Sequence, residues 1–389
     1  MGVFSDWEGS TLPKTVKAMW ISQFDLTLMC VQNGEHQRDL ESYRAHVVLM
    51  MSKLRMMGFN TVFVQVRPNA DSLYPSSLFP PSAYAVGRDE NFSYDPLAIL
   101  ITEAKSASLS VHAWINPLRG MTVTSRQATN TAYPVGRWIA QGTPFVHAVG
   151  GYYYLDPAYD EVRTLIAQGA QEVLTHYEMD GLHIDDYFYP TTDEGFDRQA
   201  YQAYLAQGGR ASLADFRREN TQALVATLCR TAHDNGVLFG ISPGGNIERN
   251  RNELYADVAA WCRAGLMDYL CPQIYFGMEH QTHPFAEVAR AFSNMVADTE
   301  IALILGMTLE KAARGYAGES DIYAGSGKDE WIENRNVLLQ CLQATKEMPA
   351  CRGVAYFSYR LFYSPTDGSE YLPTAEERSH WLPAFSAIE

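Results

Sequence analysis

The chain has 389 residues, 45 acidic against 30 basic, for a formal net charge of −15. That balance, with no dense Lys/Arg run, excludes a nucleic-acid binder, which needs a basic stripe to displace counterions from phosphate. Hydrophobic residues at 47% and charged residues at 19% exclude a disordered chain and call for a large buried core.

In chain order, eight apolar, strand-length runs appear: Ala18–Phe24, Thr61–Arg67, Ser110–Pro117, Gly181–Asp186, Val237–Ser242, Tyr269–Phe276, Ile301–Met307 and Val354–Tyr359. Runs such as Ile301-Ala-Leu-Ile-Leu305 are apolar on both faces, the mark of a parallel sheet covered on both sides. Helical spacing lies between them. Leu40, Tyr43, Val47, Met50, Leu54 and Met57 recur every three or four residues and stop at Gly58, a good C-terminal cap. Asp95-Pro96 opens a second helix as cap and first residue, and Asp156-Pro157 repeats the device. Ser212-Leu-Ala-Asp215 resembles a capping box before Phe216, Leu224 and Leu228. Weaker helical patterns cover 252–266, 281–297, 331–347 and the last fifteen or so residues.

Eight strand–helix alternations predict an α/β fold, a (β/α)8 TIM barrel. An open doubly wound sheet would want a Gly-rich first turn, but Gln23-Phe-Asp-Leu-Thr27 follows the first strand. We expect one domain over residues 1–389, with the barrel at about 15–365 and a C-terminal helix to 389. Barrel chemistry sits at the C-terminal ends of the strands. The loop after strand three, Leu118 to Leu155, is long, as are those after strands two, four and seven. Together they are expected to wall a groove.

No apolar run reaches the roughly 18 residues of a membrane span, so no membrane contact is expected. Met1–Lys17 lacks the apolar segment of a signal peptide, so the chain as it stands reads as cytoplasmic, or extracytoplasmic if a leader has been removed. The six cysteines show no Cys-x-x-Cys and no zinc spacing, and read as scattered core thiols.

The sharpest cluster is Asp180-Gly-Leu-His-Ile-Asp-Asp-Tyr-Phe-Tyr-Pro190. Strand alternation would put His183 and Asp185 on one face, with Ile184 and Asp186 on the other. Two adjacent carboxylates at a strand's C-terminal end suit general acid/base catalysis, with His183 tuning one of them. The competing reading is that Asp185 and Asp186 cap a helix or pair with an Arg. Other polar and aromatic residues close the strands. Trp20, Asp25, Gln65, Arg67, Asn116, His183, Tyr187, Gln273, Tyr275, Glu279 and Tyr359 are the candidates for substrate binding, and His112, Trp114 and Ser242 also fall at strand ends. Amides, aromatics, an Arg and carboxylates converging at one mouth describe a sugar site. Hydroxyls need planar hydrogen-bond partners, and C–H-rich sugar faces need aromatic platforms. Adjacent strand residues point apart, so Asp25, Asp71 and Glu279 are candidates for the second carboxylate.

The ordered segments GFNTVFVQVRPNADSLYPS, VHAWINPLR, LDPAYDEVR, DGLHIDDYFYP, GISPGG and CPQIYFG resemble the glycoside-hydrolase-like family 10 (DUF187-type) barrels over roughly residues 15 to 365. That family includes a divisome-associated hydrolase of peptide-free peptidoglycan strands. The resemblance implies a glycosidase on a TIM barrel, with Asp185 and Asp186 as the catalytic element and an oligo- or polysaccharide as substrate, an amino-sugar or peptidoglycan-derived glycan among the options. The chain departs from the family after strand five, where a bulkier turn is replaced by Ser242-Pro-Gly-Gly-Asn-Ile-Glu-Arg249. The alternatives are a catalytically silent carbohydrate-binding barrel and a metal-dependent hydrolase. The latter would want a His-x-His on strand one, which ends Trp20-Ile-Ser-Gln23. No cofactor and no metal are expected.

Overall fold

The computed structural model describes residues 9–388. Part of the stretch read for a leader, residues 1–8, lies outside them, as does Glu389. Eight parallel strands close into a barrel: β1 Val16–Ile21, β2 Thr61–Arg67, β3 Ser110–Ile115, β4 Gly181–Ile184, β5 Leu238–Ile241, β6 Tyr269–Leu270, β7 Ala302–Thr308 and β8 Cys351–Phe357. Consecutive strands are neighbours, and β1 pairs with both β2 and β8, which shuts the cylinder. A helix follows each strand: α1 Leu40–Met57, α2 Pro96–Ser106, α3 Asp160–His176, α4 Leu213–Asp234, α5 Val258–Arg263, α6 Phe285–Val296, α7 Val337–Ala344 and α8 Ala375–Ser386. The fold is therefore the closed barrel and not the open sheet. No helix among the described residues is long and apolar enough to cross a membrane.

Two apolar layers form, as a closed parallel barrel requires. The larger lies between strands and helices, and the smaller fills the lumen with Val16, Ala18, Phe63, Leu238, Tyr269 and Ile304 among others. The lumen is filled by matching large to small: a Cβ on Gly240 would lie 1.9 Å from the Tyr269 ring, so only glycine leaves room for that tyrosine. The caps behave as their residue types dictate. Asp39, Asp95 and Ser212 accept backbone N–H groups at the starts of α1, α2 and α4, and Gly58 ends α1 in the left-handed conformation.

Most strand ends shift from the sequence expectation, and three of the shifts shape the mouth. β1 stops at Ile21, because Ser22 and Asp25 form a reciprocal capping box that starts a helix at Gln23–Cys30. β4 stops at Ile184, so Asp185 and Asp186 lie beyond the regular pleat. β6 is only Tyr269–Leu270: Pro272 lacks the N–H for a ladder, and beyond it only single bridges at Gln273 join Gly244 and Gly306. The long segment after β3 is not irregular. It builds a three-stranded antiparallel sheet from Arg119–Thr122, Val146–Val149 and Tyr152–Leu155, with a helix at Pro134–Gln141.

Candidate active site

Asp185 emerges at the mouth from β4, held by the two strands beside it. Its Oδ2 accepts hydrogen bonds from the Trp114 indole N–H at 3.1 Å and from the Asn116 amide at 2.7 Å. Asn116 is itself oriented, since its Oδ1 accepts from the Gln65 amide at 2.8 Å while Gln65 Oε1 accepts from the Gln23 backbone N–H at 2.8 Å. This relay runs from the end of β1 through β2 and β3 to β4. Asn116 and Trp114 both donate to Oδ2, while Oδ1 accepts only the longer bond from the Tyr187 N–H at 3.4 Å, so the acid proton of Asp185 belongs on Oδ1.

Asp186 takes a different set of partners. Its Oδ1 accepts from the Gln273 amide at 3.2 Å, and the same amide nitrogen donates to the Ser242 carbonyl at 2.8 Å. The glycine pair after β5 makes this approach possible. A Cβ on Gly245 would lie 2.8 Å from the Gln273 carbonyl oxygen, and one on Gly244 would lie 3.5 Å from Asp186 Oδ2.

Both carboxylates line one cavity of about 300 Å³, with Trp20, Gln65, Trp114, Arg119, Tyr187 and Gln273 among its walls. Desolvation, then the neighbouring Asp186 charge, hold the Asp185 carboxyl well above the usual carboxylate range. Burial also raises Asp186, but the Gln273 amide and the positive charge of Arg249 act in the opposite direction. Both carboxyls are therefore held above the usual range.

The structure thus brings Asp185, Asp186, Trp20, Gln65, Tyr187, Gln273 and Tyr275 to one cavity, with Asn116 directly behind Asp185. The expectation that the two aspartates point apart is corrected. It assumed a pleat that ends one residue too early to apply.

Six other candidates lie elsewhere. Arg67 is turned outward by a bulge: the register between β2 and β3 slips after Gln65, so Arg67 pairs with Ile115 rather than with an inward-facing residue. Its buried guanidinium stacks on Phe79 at 4.5 Å, against the α3 backbone at Gly169. Asp25 is fully buried and accepts from the Ser22 hydroxyl and N–H and from the Arg360 N–H at 2.7 Å, tying the ends of β1 and β8 together. Glu279 is exposed in the loop after β6, where its N–H donates to Glu330. Tyr359 is fully buried and faces Tyr363.

His183 lies beneath the cavity. Its ring stacks on Phe63 at 4.3 Å, and its Nε2 accepts from the Trp20 indole at 3.2 Å. Burial pushes its pKa well down, so the neutral ring carries its proton on Nδ1 and donates to the Tyr269 hydroxyl at 3.0 Å. Tyr269 then donates to His112 Nδ1 at 2.8 Å. His183 is a satisfied core histidine that steadies Trp20. Asp71, the remaining candidate for a second carboxylate, is buried in the β2 loop on the Asn69 N–H, its pKa raised to about 6 by burial. Among the cavity-lining residues the only carboxylates are therefore Asp185 and Asp186.

Reading strand ends missed Arg119, Ser22, Gln23, Phe24 and Phe357 as cavity residues, and noticed Trp114 and Ser242 without placing them at the site. Arg119 begins the added sheet after β3, two residues past any strand signal, and no period in the sequence reports its direction. The loop after the Asp pair is anchored from below. Arg217 on α4 donates to Asp197 at 2.7 Å and to the Asp193 carbonyl at 2.6 Å, with both charged side chains fully buried. No three His, Cys, Asp or Glu side chains gather as metal ligands among the described residues.

A closed parallel barrel with paired carboxylates, amides and aromatics at the C-terminal mouth of its strands has the architecture of a barrel glycosidase. Residues 15–321 match the family described as Glycosyl hydrolase-like 10, and the chain belongs to that family. It is 33% identical over 305 residues to Glycosyl hydrolase DigH of Escherichia coli K12, covering 72% of this chain and 69% of that protein. It is 31% identical over 322 residues to Glycosyl hydrolase YngK of Bacillus subtilis, covering 77% of this chain and 61% of that one. Among solved structures, the glycoside hydrolase domain of PgaB (BpsB) from Bordetella bronchiseptica superposes with a TM-score of 0.57 at 12% identity, over 96% of this chain and 100% of that domain. The endo-1,4-β-mannanase of Rhizomucor miehei gives 0.54 at 11% identity, over 98% of each chain. At such identities these two share the fold.

Proposed function

We propose that the chain is an O-glycosyl hydrolase of an oligo- or polysaccharide, with Asp185 as general acid and Asp186 as its ionised partner. The observation that carries this is one cavity holding two carboxylates with different hydrogen-bond partners, Trp114 and Asn116 on Asp185 and Gln273 on Asp186, an asymmetry of the kind by which acid and base roles are divided at a single pH. Asp185 Oδ1 gives its proton to the glycosidic oxygen as the bond from that oxygen to the anomeric carbon breaks. Asp186 faces the positive charge that develops on the sugar, water's oxygen bonds the anomeric carbon, and the proton it sheds returns to the carboxylate pair, restoring Asp185 to its acid form. Trp20, Trp114 and Tyr187 offer faces for the C–H surface of a pyranose, and Gln65 and Gln273 offer amides for its hydroxyls. No step draws on a cofactor. The family relationship favours an amino-sugar glycan, including a peptidoglycan-derived one.

The test is hydrolysis of amino-sugar and glucan oligosaccharides by wild type and by Asp185→Asn and Asp186→Asn. Loss of an acid/base group lowers the rate by about 10²–10⁴. Full activity in both variants removes the assignment. Sugar binding with no turnover over days in the wild type would identify a carbohydrate-binding barrel instead.

A further inference from the structure

The first barrel helix, α1, buries Tyr43, Val47, Met50, Leu54 and Met57, as its spacing requires. Its opposite face is only partly polar. Leu40 is 45% exposed, Val48 42% and Met56 85%, and the small side chains of Ala45 and Ser52 lie between them. They leave a shallow hollow of about 660 Å³, lined by Ala45, Val48, Leu49 and Ser52 among others. Glu41, Ala45, Val48, Ser52 and Arg55 follow one another at steps of four, three, four and three residues. That spacing makes a straight seam along a helix, the kind along which two helices pack. The seam is acidic at one end and basic at the other, with Glu41 in the first turn and Arg55 in the last. The helix dipole favours that order. It also leaves opposite charges seven residues either side of Val48. Arg44 on the same face is already paired, to Glu103 of α2 at 2.7 Å, whereas among the described residues no ion pair takes Glu41 or Arg55.

We propose that this face joins two copies of the chain in a twofold dimer, with their α1 helices antiparallel and crossing at Val48. A twofold axis at Val48 brings together residues equally far from it in opposite directions. Glu41 then faces Arg55 of the second copy, Leu40 faces its Met56, and Arg44 faces its Ser52. Every contact occurs twice, because a twofold interface is self-complementary. Val48 of each copy enters the hollow that Ala45 and Ser52 leave in the other. A parallel pairing would instead set Glu41 on Glu41 and Arg55 on Arg55. α1 has 18 residues and is about 27 Å long, so a strip about 10 Å wide covers on the order of 270 Å² per copy. Stable complexes bury about 800 Å² per partner, so this contact is a reversible one, with a Kd on the order of 10–100 µM. None of these residues lines the cavity at the mouth, and the inference is independent of the hydrolase reading.

The experiment is sedimentation equilibrium of the full chain from about 1 to 500 µM, a range that brackets that Kd. A reversible monomer–dimer equilibrium is expected. Val48→Glu sets two like charges on the axis and should weaken it at least tenfold or so. Glu41→Arg or Arg55→Glu alone should weaken it by about threefold to tenfold, since two exposed ion pairs are lost and like charges replace them. Both together exchange the charges and should return the Kd to within about threefold of wild type, a recovery that general damage to the helix would not give. Val48→Cys should link two copies under mild oxidation. Ser52→Cys should not, because its two sulfurs would be offset by about 12 Å along the helices. A chain that stays monomeric at the highest concentration leaves the face to a different protein and overturns the proposal. So does a dimer untouched by Val48→Glu, a charge exchange as weak as either single variant, or a Ser52→Cys chain that links to itself as readily as Val48→Cys. All the substituted positions are exposed, and thermal melts of each variant establish that it is folded.

Discussion

Replacing Asn116 with alanine should move the upper limb of the pH–activity profile to higher pH. The Asn116 amide donates to Asp185 Oδ2 at 2.7 Å, and Asp185 is only 2% exposed. A donor aimed at a carboxyl oxygen stabilises the ionised form more than the neutral one. A hydrogen bond to a charged group contributes about 1.5–3 kcal/mol, and 1.36 kcal/mol corresponds to one pKa unit. Its loss should therefore raise the proton affinity of Asp185 by roughly one to two units. Asp185 works protonated, so activity at alkaline pH, where wild type declines, should persist by about that margin. At the optimum kcat should fall, because the carboxyl loses the partner that fixes its plane. The assay is kcat/KM against pH, which reports the free enzyme, with a carbon NMR titration of the aspartate carboxyls alongside. The Asp pair titrates as a unit, so the limb belongs to the pair. Trp114→Phe removes the other Oδ2 donor, which lies at 3.1 Å, and should shift the limb the same way. A limb that stays in place or moves down in both variants refutes the assignment of Asp185 as the acid.

Two further outcomes concern the scaffold. Arg217→Ala strands Asp197 as a buried charge without its partner and frees the 191–197 loop, so unfolding free energy should drop by about 3–5 kcal/mol in denaturant titration. His233 accepts a raised pKa of about 10 from its contact with Asp268 at 3.0 Å. A raised histidine pKa contributes stability in full below the unfolded value near 6.5, and that stability is lost as pH climbs toward 10. His233→Gln should therefore destabilise most at pH 6 and least at pH 10, and a melting-temperature deficit that is flat over that range would refute the pairing.

What was readable in the amino-acid order was the periodic part. Both-face apolar runs alternating with three-and-four spacing, capped by Asp39, Asp95, Ser212 and Gly58, call for a parallel sheet wrapped by helices. The position of Asp185 and Asp186 at a strand's C-terminal end was visible for the same reason, since strand direction alone places them at the mouth. Gln65, Trp20 and Gln273 were visible in the same way, as polar and aromatic residues closing their strands. These are local properties, carried by neighbours in the chain.

Tertiary structure decided which way a side chain faces once the pleat breaks. Arg67 and Gln65 lie two residues apart, yet one bulge sends Arg67 to the helical shell and leaves Gln65 in the relay. Asp25 looked like a second carboxylate until a capping box and the Arg360 N–H, 335 residues away, claimed its oxygens. Arg119 became a cavity wall only when an antiparallel sheet folded Tyr152 against it and the loop after β4 brought Tyr187. Periodicity reports the average direction of a regular element. Bulges, caps and added loops are set by contacts between residues remote in sequence, and most of this cavity is built from such places.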